Sequence, residues 1–134
     1  MKVIVCLENN NGITFNNRRL TKDKKIIEDI VSLVGDKEII CSSYSAELFL
    51  NYKVNLNIDD NSYLPNGTNY YFLENIYPKY NNFSQLIVYK WNRDYPYDRT
   101  FSFDYNKYKI KSIKDLNGFS HKKITRIIYE RKDS

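Results

Sequence analysis

Few residues of the types that perform chemistry stand out in this sequence. It has one histidine, His121, and two cysteines, Cys6 and Cys41, which lie far apart. A zinc site needs four His, Cys or carboxylate ligands at short characteristic spacings, and none of those spacings occurs, so we expect no bound metal. His121 stands beside two lysines with no evident carboxylate or nucleophile as a partner, which predicts an exposed loop residue without a catalytic role.

Asp23 and the cations around it form the first candidate site. Asp23 either binds a ligand or is a carboxylate that stabilises the N-terminus of a helix. The neighbouring cations could bind an anion at that helix terminus, or they could form a solvated helix face. They are Arg18, Arg19, Lys22, Lys24 and Lys25.

The second candidate is the string from Trp91 to Pro96, which follows a predicted strand and includes Tyr95. Loop residues at strand ends often carry function, and Trp91 and Arg93 are of the types most enriched at binding hot spots. A core tryptophan followed by a polar turn explains the string equally well.

The composition predicts one globular domain over residues 1–134. No apolar run is long enough for a membrane span. The two isolated cysteines predict reduced, buried thiols of a cytoplasmic protein. The net charge of +5 permits an anionic partner but is also common in ordinary proteins. The 13 tyrosines suit base stacking, yet many of them lie in predicted strands, which favour aromatic residues.

The apolar pattern predicts an α/β fold in which a mixed sheet is flanked by two helices. Met1–Leu7 should be a central strand, residues 8–19 a long loop, and residues 21–34 a helix with Thr21 as N-cap and Gly35 after its end. Ser43 or Ser45 should cap a second helix that runs to about Leu50. An Asn66-Gly67 turn precedes a run of strands. These strands are predicted at 38–41, 70–73, 85–91, 100–103, 108–113 and 124–130, with a turn at Asn117-Gly118.

Two blocks of this pattern resemble dihydrofolate reductase. In the first block, Val3-Ile4-Val5-Cys6 is similar to the family's first strand, and Leu20-Thr21-Lys22-Asp23 to the Leu-Pro-x-Asp that opens its first long helix. In the second block, Asp98-Arg99-Thr100-Phe101 looks like the family's Asp-x-x-Phe. The ending from Ile127 to Arg131 looks like the family's last strand. The resemblance implies one dihydrofolate reductase-like domain whose middle segment, residues 51–83, is reduced and divergent. It would make Asp23 the relic of a pterin-binding acid, although a carboxylate that only stabilises the helix N-terminus is the preferred explanation because it needs no ligand.

The departures from the family lie at its cofactor motifs. Where the family has Gly-Arg-x-Thr-x-Glu-Ser, this chain has a segment in which Ser43 stands at the arginine position. Where the family has a Gly-Gly pair close to the pyrophosphate, this chain has Glu74-Asn75, and a carboxylate there should repel a diphosphate. Tyr89 replaces a threonine and should partly fill the pocket. We therefore expect no cofactor and no binding of NADPH.

Three functions remain open on the sequence alone. The first is a degenerate reductase-like domain that works as a binding, regulatory or inhibitory accessory protein of a bacterium or phage, with a protein partner or a small anionic ligand. The second is a diverged enzyme that keeps a pterin-side cleft around Asp23. The third is a basic, tyrosine-rich nucleic-acid-binding protein, which is not favoured because no RNA-binding motif is present. We expect no membrane partner.

Overall fold

The computed structural model describes residues 1–60, 69–75 and 83–132. Within these ranges the chain forms ten strands, two α-helices and two short 3-10 helices. The strands are β1 (Lys2–Leu7), β2 (Gly12–Phe15), β3 (Arg18–Arg19), β4 (Glu38–Cys41), β5 (Asn55–Ile58), β6 (Tyr70–Phe72), β7 (Gln85–Lys90), β8 (Arg99–Thr100), β9 (Tyr108–Leu116) and β10 (Ile124–Arg131). The helices are α1 (Lys24–Val34) and α2 (Ser43–Ala46), and the 3-10 turns cover Glu47–Phe49 and Tyr105–Lys107.

Seven of the strands form one mixed sheet in the order β5-β4-β6-β1-β7-β10-β9. The first five strands in this order, β5-β4-β6-β1-β7, are parallel to one another. β10 is antiparallel to both of its neighbours, β7 and β9. β1 is the middle strand, as predicted, because its apolar side chains are buried on both faces of the sheet. The predicted α/β class with a mixed sheet and flanking helices is confirmed.

The sheet separates two apolar layers. On one face, α1 buries Ile26, Ile27, Ile30 and Val34 against β1, β7 and β10. On the other face, β2 and the segment around Phe101 and Phe103 cover the opposite side chains of the same strands. A small second sheet, in the order β3-β2-β8, lies at this side.

Several local predictions are corrected by the structure. Residues 8–19 are not one long loop, because residues 12–19 form a hairpin of β2 and β3. Asn16 and Asn17 both adopt positive φ and close a two-residue turn that suits the twist of paired strands. The strand expected at 100–103 is reduced to β8. The structure adds β5, which its polar sequence concealed, and the Asn66-Gly67 turn lies outside the described residues.

The helix starts also differ from the sequence prediction. Asp23, not Thr21, caps α1, since its side chain accepts a hydrogen bond from the backbone N–H of Lys25. Ser42, not Ser43 or Ser45, caps α2 by accepting from the backbone N–H of Ser45. In both cases a nearby polar side chain, and not the predicted one, reaches the free backbone N–H. The residue type alone does not decide which of several neighbouring polar residues is the cap.

Candidate functional site

The candidate site lies where the end of β1, the start of α1 and the segment after β6 meet. Two clusters of polar side chains face each other there, one around Asp23 and one around the pair of Arg19 and Glu74. Between them remains a cavity of about 20 Å³, whose polar and aromatic lining includes Arg19, Thr21, Lys22, Asp23, Glu74 and Trp91. A cavity of this size holds about one water molecule.

The first cluster is built on the carboxylate of Asp23, whose side chain is fully buried. Its Oδ1 accepts from the backbone N–H groups of Lys25 and Phe119, each at 2.8 Å. Its Oδ2 accepts from the backbone N–H of Ser120 at 2.9 Å, from the Ser120 hydroxyl at 3.2 Å and from His121 Nδ1 at 3.0 Å. The carboxylate therefore has five donors from the chain itself.

Those donors keep Asp23 ionised. Burial alone would raise the pKa of Asp23, but the hydrogen bonds from Phe119, His121 and Ser120 outweigh burial and hold that pKa well below its usual range. Because an ionised carboxylate can only accept, Nδ1 of His121 carries the proton in this hydrogen bond.

His121 is buried, with only 9% of its surface exposed, so the prediction of an exposed loop residue is wrong. Its Nε2 lies 3.1 Å from the hydroxyl of Tyr95 and 3.3 Å from that of Thr21. Its ring packs on Trp91 with a centroid distance of 4.9 Å. The sequence conceals these contacts, because Tyr95, Asp23 and Thr21 lie 26 to 100 positions away from His121 along the chain.

The turn at Asn117-Gly118 makes this arrangement sterically feasible. A Cβ atom on Gly118 would collide with the carbonyl oxygen of His121 and would lie 2.8 Å from Asp23 Oδ2. Only glycine lets the chain approach the carboxylate so closely, and the predicted turn is the one sequence signal that could have pointed to the His121 cluster.

The second cluster is an ion pair that spans the cleft. Arg19 donates from Nε and Nη2 to the two carboxylate oxygens of Glu74, at 2.8 and 3.0 Å, and from Nη1 to Glu47 at 2.9 Å. Its guanidinium lies 4.2 Å from the centre of the Tyr44 ring. The Ser45 hydroxyl donates to Glu74 Oε1 at 2.7 Å.

Arg19 and Glu74 are both nearly buried, with 13% and 10% of their side-chain surfaces exposed. Burial alone would lower the pKa of Arg19, but its bonds to Glu74 and Glu47 raise that pKa above its usual value. Glu74 thus does not present a free carboxylate, as the sequence suggested, because the guanidinium of Arg19 compensates its charge.

The other predicted site residues are distributed between the cavity and the surface. Trp91 is buried, while Tyr95 and Arg18 line an open surface groove together with Arg19 and Phe15. Lys22 is exposed at the rim of the cavity, and Arg93 is exposed in the loop that follows Trp91. The structure therefore brings Asp23, Trp91 and Tyr95 together through His121.

The side chain of Tyr89 is fully buried in the core beneath α1 and is not among the residues that line the cavity. Its hydroxyl donates to Asp29 on α1 at 2.6 Å, and Arg126 binds the same carboxylate oxygen at 2.8 Å. Both cysteines are free thiols, as predicted, but only Cys41 is a buried residue, whereas Cys6 is half-buried. Desolvation raises the pKa of the Cys6 thiol above its usual range and that of Cys41 to about 11. Within the described ranges no group of His, Cys, Asp and Glu side chains could hold a metal ion. No helix in those ranges is long and apolar enough to cross a membrane.

Comparison with solved structures finds a similar fold in dihydrofolate reductase from Enterococcus faecalis complexed with NADP(H) and RAB-propyl. The TM-score is 0.65 at 8% sequence identity, with 98% of this chain and 96% of that chain covered. No protein-family model matches the sequence, and no curated protein matches it. At this identity the likeness concerns the fold, and the chain has a dihydrofolate reductase-like fold.

Proposed function

We propose that this chain is a dihydrofolate reductase-like scaffold that does not work as an NADPH-dependent reductase and acts by binding a partner. The observation that carries this proposal is the buried ion pair between Arg19 and Glu74, which closes the cleft between β1, α1 and the end of β6. The cavity between these elements measures about 20 Å³, and a wider open groove of about 780 Å³ lies outside it, between the start of α1, residues 47–52 and residues 119–120. Pockets for cofactors and drug-sized ligands usually enclose about 300–1,000 Å³.

A pterin would also compete with the chain for Asp23. The family's acid binds the pterin ring by paired hydrogen bonds, but both oxygens of Asp23 already accept bonds from residues 119–121 and Lys25. Binding a pterin would require this turn to leave the carboxylate. Each charge-assisted hydrogen bond lost in that way costs about 1.5–3 kcal/mol, which the ligand would have to supply.

The residues at the cofactor positions do not suit a dinucleotide. Ser43, at the place of the phosphate-pairing arginine, donates its backbone N–H and its hydroxyl to Asp60 at 2.8 and 3.0 Å. A phosphate there would meet a carboxylate without a guanidinium to offset it. Glu74, at the place of the Gly-Gly pair, is held by Arg19, so a pyrophosphate would have to displace a buried ion pair.

Two measurements test this proposal. We expect isothermal titration with NADPH to give a Kd at or above ~1 mM, and an absorbance assay with dihydrofolate to show no turnover. The double variant R19A/E74Q is the positive test of the blocking role, because it removes the ion pair without leaving an uncompensated carboxylate in the cleft, and we expect it to bind NADPH more tightly than the unmodified protein does. Micromolar binding of NADPH by the unmodified protein, or measurable reduction of dihydrofolate, would refute the proposal and favour the diverged enzyme.

A further inference from the structure

The positive charge of this protein is concentrated in the segment that contains β9, β10 and the turns beside them. Residues 105–132 contain nine lysines and arginines but only two acidic residues, a formal charge of +7, whereas the whole chain carries +5. The remainder of the chain is therefore slightly acidic. Seven of these cations are exposed lysines: Lys107, Lys109, Lys111, Lys114, Lys122, Lys123 and Lys132.

β9 carries several of these lysines and lies at the edge of the seven-stranded sheet. It pairs with β10 on one side, and no strand within the described residues pairs with its other side. A strand of nine residues extends for about 30 Å and offers an open row of backbone donors and acceptors. Between its lysines, Ile110 and Ile113 expose 53% and 60% of their surfaces.

The chemistry of this edge disfavours pairing with a second copy of the chain. Lysines on an edge strand repel an identical strand, and a bulge distorts the pairing. β9 has both features, since the register with β10 shifts between Ile128 and Tyr129. The same lysines attract a strand of opposite charge.

A nucleic acid would contact only some of the groups on this edge, which are the lysines, the backbone donors and acceptors, and the exposed isoleucines. Its phosphates would contact the lysines, but the backbone donors and acceptors of β9 would remain unpaired. Ile110 and Ile113 provide no aromatic ring on which a base could stack, and the exposed rings of this segment, Tyr105 and Phe119, lie outside β9. An extended acidic peptide uses the backbone edge, the exposed isoleucines and the positive charge together.

We propose that the outer edge of β9 binds an extended acidic segment of a partner protein, which adds a strand to the sheet. Backbone hydrogen bonds supply the affinity, and the lysines select acidic sequences over neutral or basic ones. The inference rests on the proposed function only in that the chain acts through a partner. β9 lies apart from the cleft, so the same samples can be titrated with NADPH and with peptide. Binding of NADPH would contradict the proposed function, whereas absence of peptide binding would contradict only the inference about β9.

The test compares two synthetic peptides of equal length and charge. One alternates Glu with Val and can form a strand; the other alternates Glu with Pro, which lacks the N–H that a strand must donate. We expect the Glu-Val peptide to bind at least about tenfold more tightly, and less tightly as salt rises. Amide hydrogen exchange should slow in Tyr108–Leu116.

Paired charge reversals separate location from net charge. K109E/K114E and K37E/K53E both lower the formal charge from +5 to +1, and all four lysines are exposed. We expect the β9 variant to weaken the Glu-Val peptide about tenfold or more and the control to change it by less than about twofold. Equal effects of the two variants, equal affinity for the two peptides, or no binding at ~1 mM would overturn the inference. Tighter binding of single-stranded DNA, lost in the β9 variant alone, would overturn it in favour of a nucleic acid.

Discussion

The variant Asp23→Asn isolates the contribution of the buried carboxylate to stability. Asparagine has the same shape and is as good an N-cap as aspartate, so the cap of α1 can persist. The change replaces one carboxylate oxygen by an NH2 group and removes the charge. In the better orientation Oδ1 still accepts from Lys25 and Phe119, and the new NH2 group faces Ser120 and His121.

The partners of the lost oxygen determine the expected size of the effect. The Ser120 hydroxyl can rotate to accept from the amide, and His121 can move its proton to Nε2 so that Nδ1 accepts. The backbone N–H of Ser120 cannot adapt, and it is left without an acceptor. One unsatisfied buried donor and the loss of charge-assisted bonds to Phe119 and Lys25 should lower the free energy of unfolding by about 2–4 kcal/mol.

Urea unfolding measures this difference with a local probe. Trp91 is the only tryptophan and packs on His121, so its fluorescence reports on this site, while circular dichroism reports on the sheet. The matched control is Asp36→Asn, at an exposed position just after α1, for which we expect a change within about 0.5 kcal/mol.

The pH dependence gives the sign of the effect independently. The pKa of Asp23 is lowered in the folded protein, so its contribution is fully present above the unfolded pKa of about 3.9 and is lost as the pH falls toward the folded pKa. The difference between the unmodified protein and Asp23→Asn should therefore be constant above about pH 5 and shrink in acid. A difference below about 0.5 kcal/mol at neutral pH, or one that grows in acid, would refute the role assigned to the carboxylate.

Two further predictions concern the cleft and the thiols. Arg19→Met should lower the free energy of unfolding by about 3–5 kcal/mol, because it leaves Glu74 buried without its partner, and adding Glu74→Gln should restore much of that loss. Urea unfolding of the two variants checks this, and a double variant no more stable than Arg19→Met would contradict it. Cys6 and Cys41 should react with a thiol reagent at pH 8 only after unfolding, because burial raises the pKa of both. Labelling should count two thiols in urea and almost none in buffer, and rapid labelling of the folded protein would disprove the buried state.

The sequence by itself determined the fold class and the main layout of this protein. Burial selects apolar residues at the spacing of a strand or a helix, and this spacing can be read directly from the sequence. It is visible in the apolar run of β1, in the helical spacing of Ile26, Ile27 and Ile30, and in the length of β10. The central position of β1 and the mixed sheet were predictable for that reason. The hairpin of β2 and β3 was missed, because two asparagines at positive φ look like a polar loop in sequence.

Only the tertiary structure decided what the candidate site contains. The sequence pointed to Asp23, Arg19, Trp91 and Tyr95 but could not show that His121 joins three of them, nor that Arg19 reaches Glu74 across 55 positions. Whether a charged side chain is a free ligand group or one half of a buried pair depends on the distance to its partner. Those distances are fixed by the packing of β6, α1 and the turn at Gly118, and no local pattern of residues encodes them.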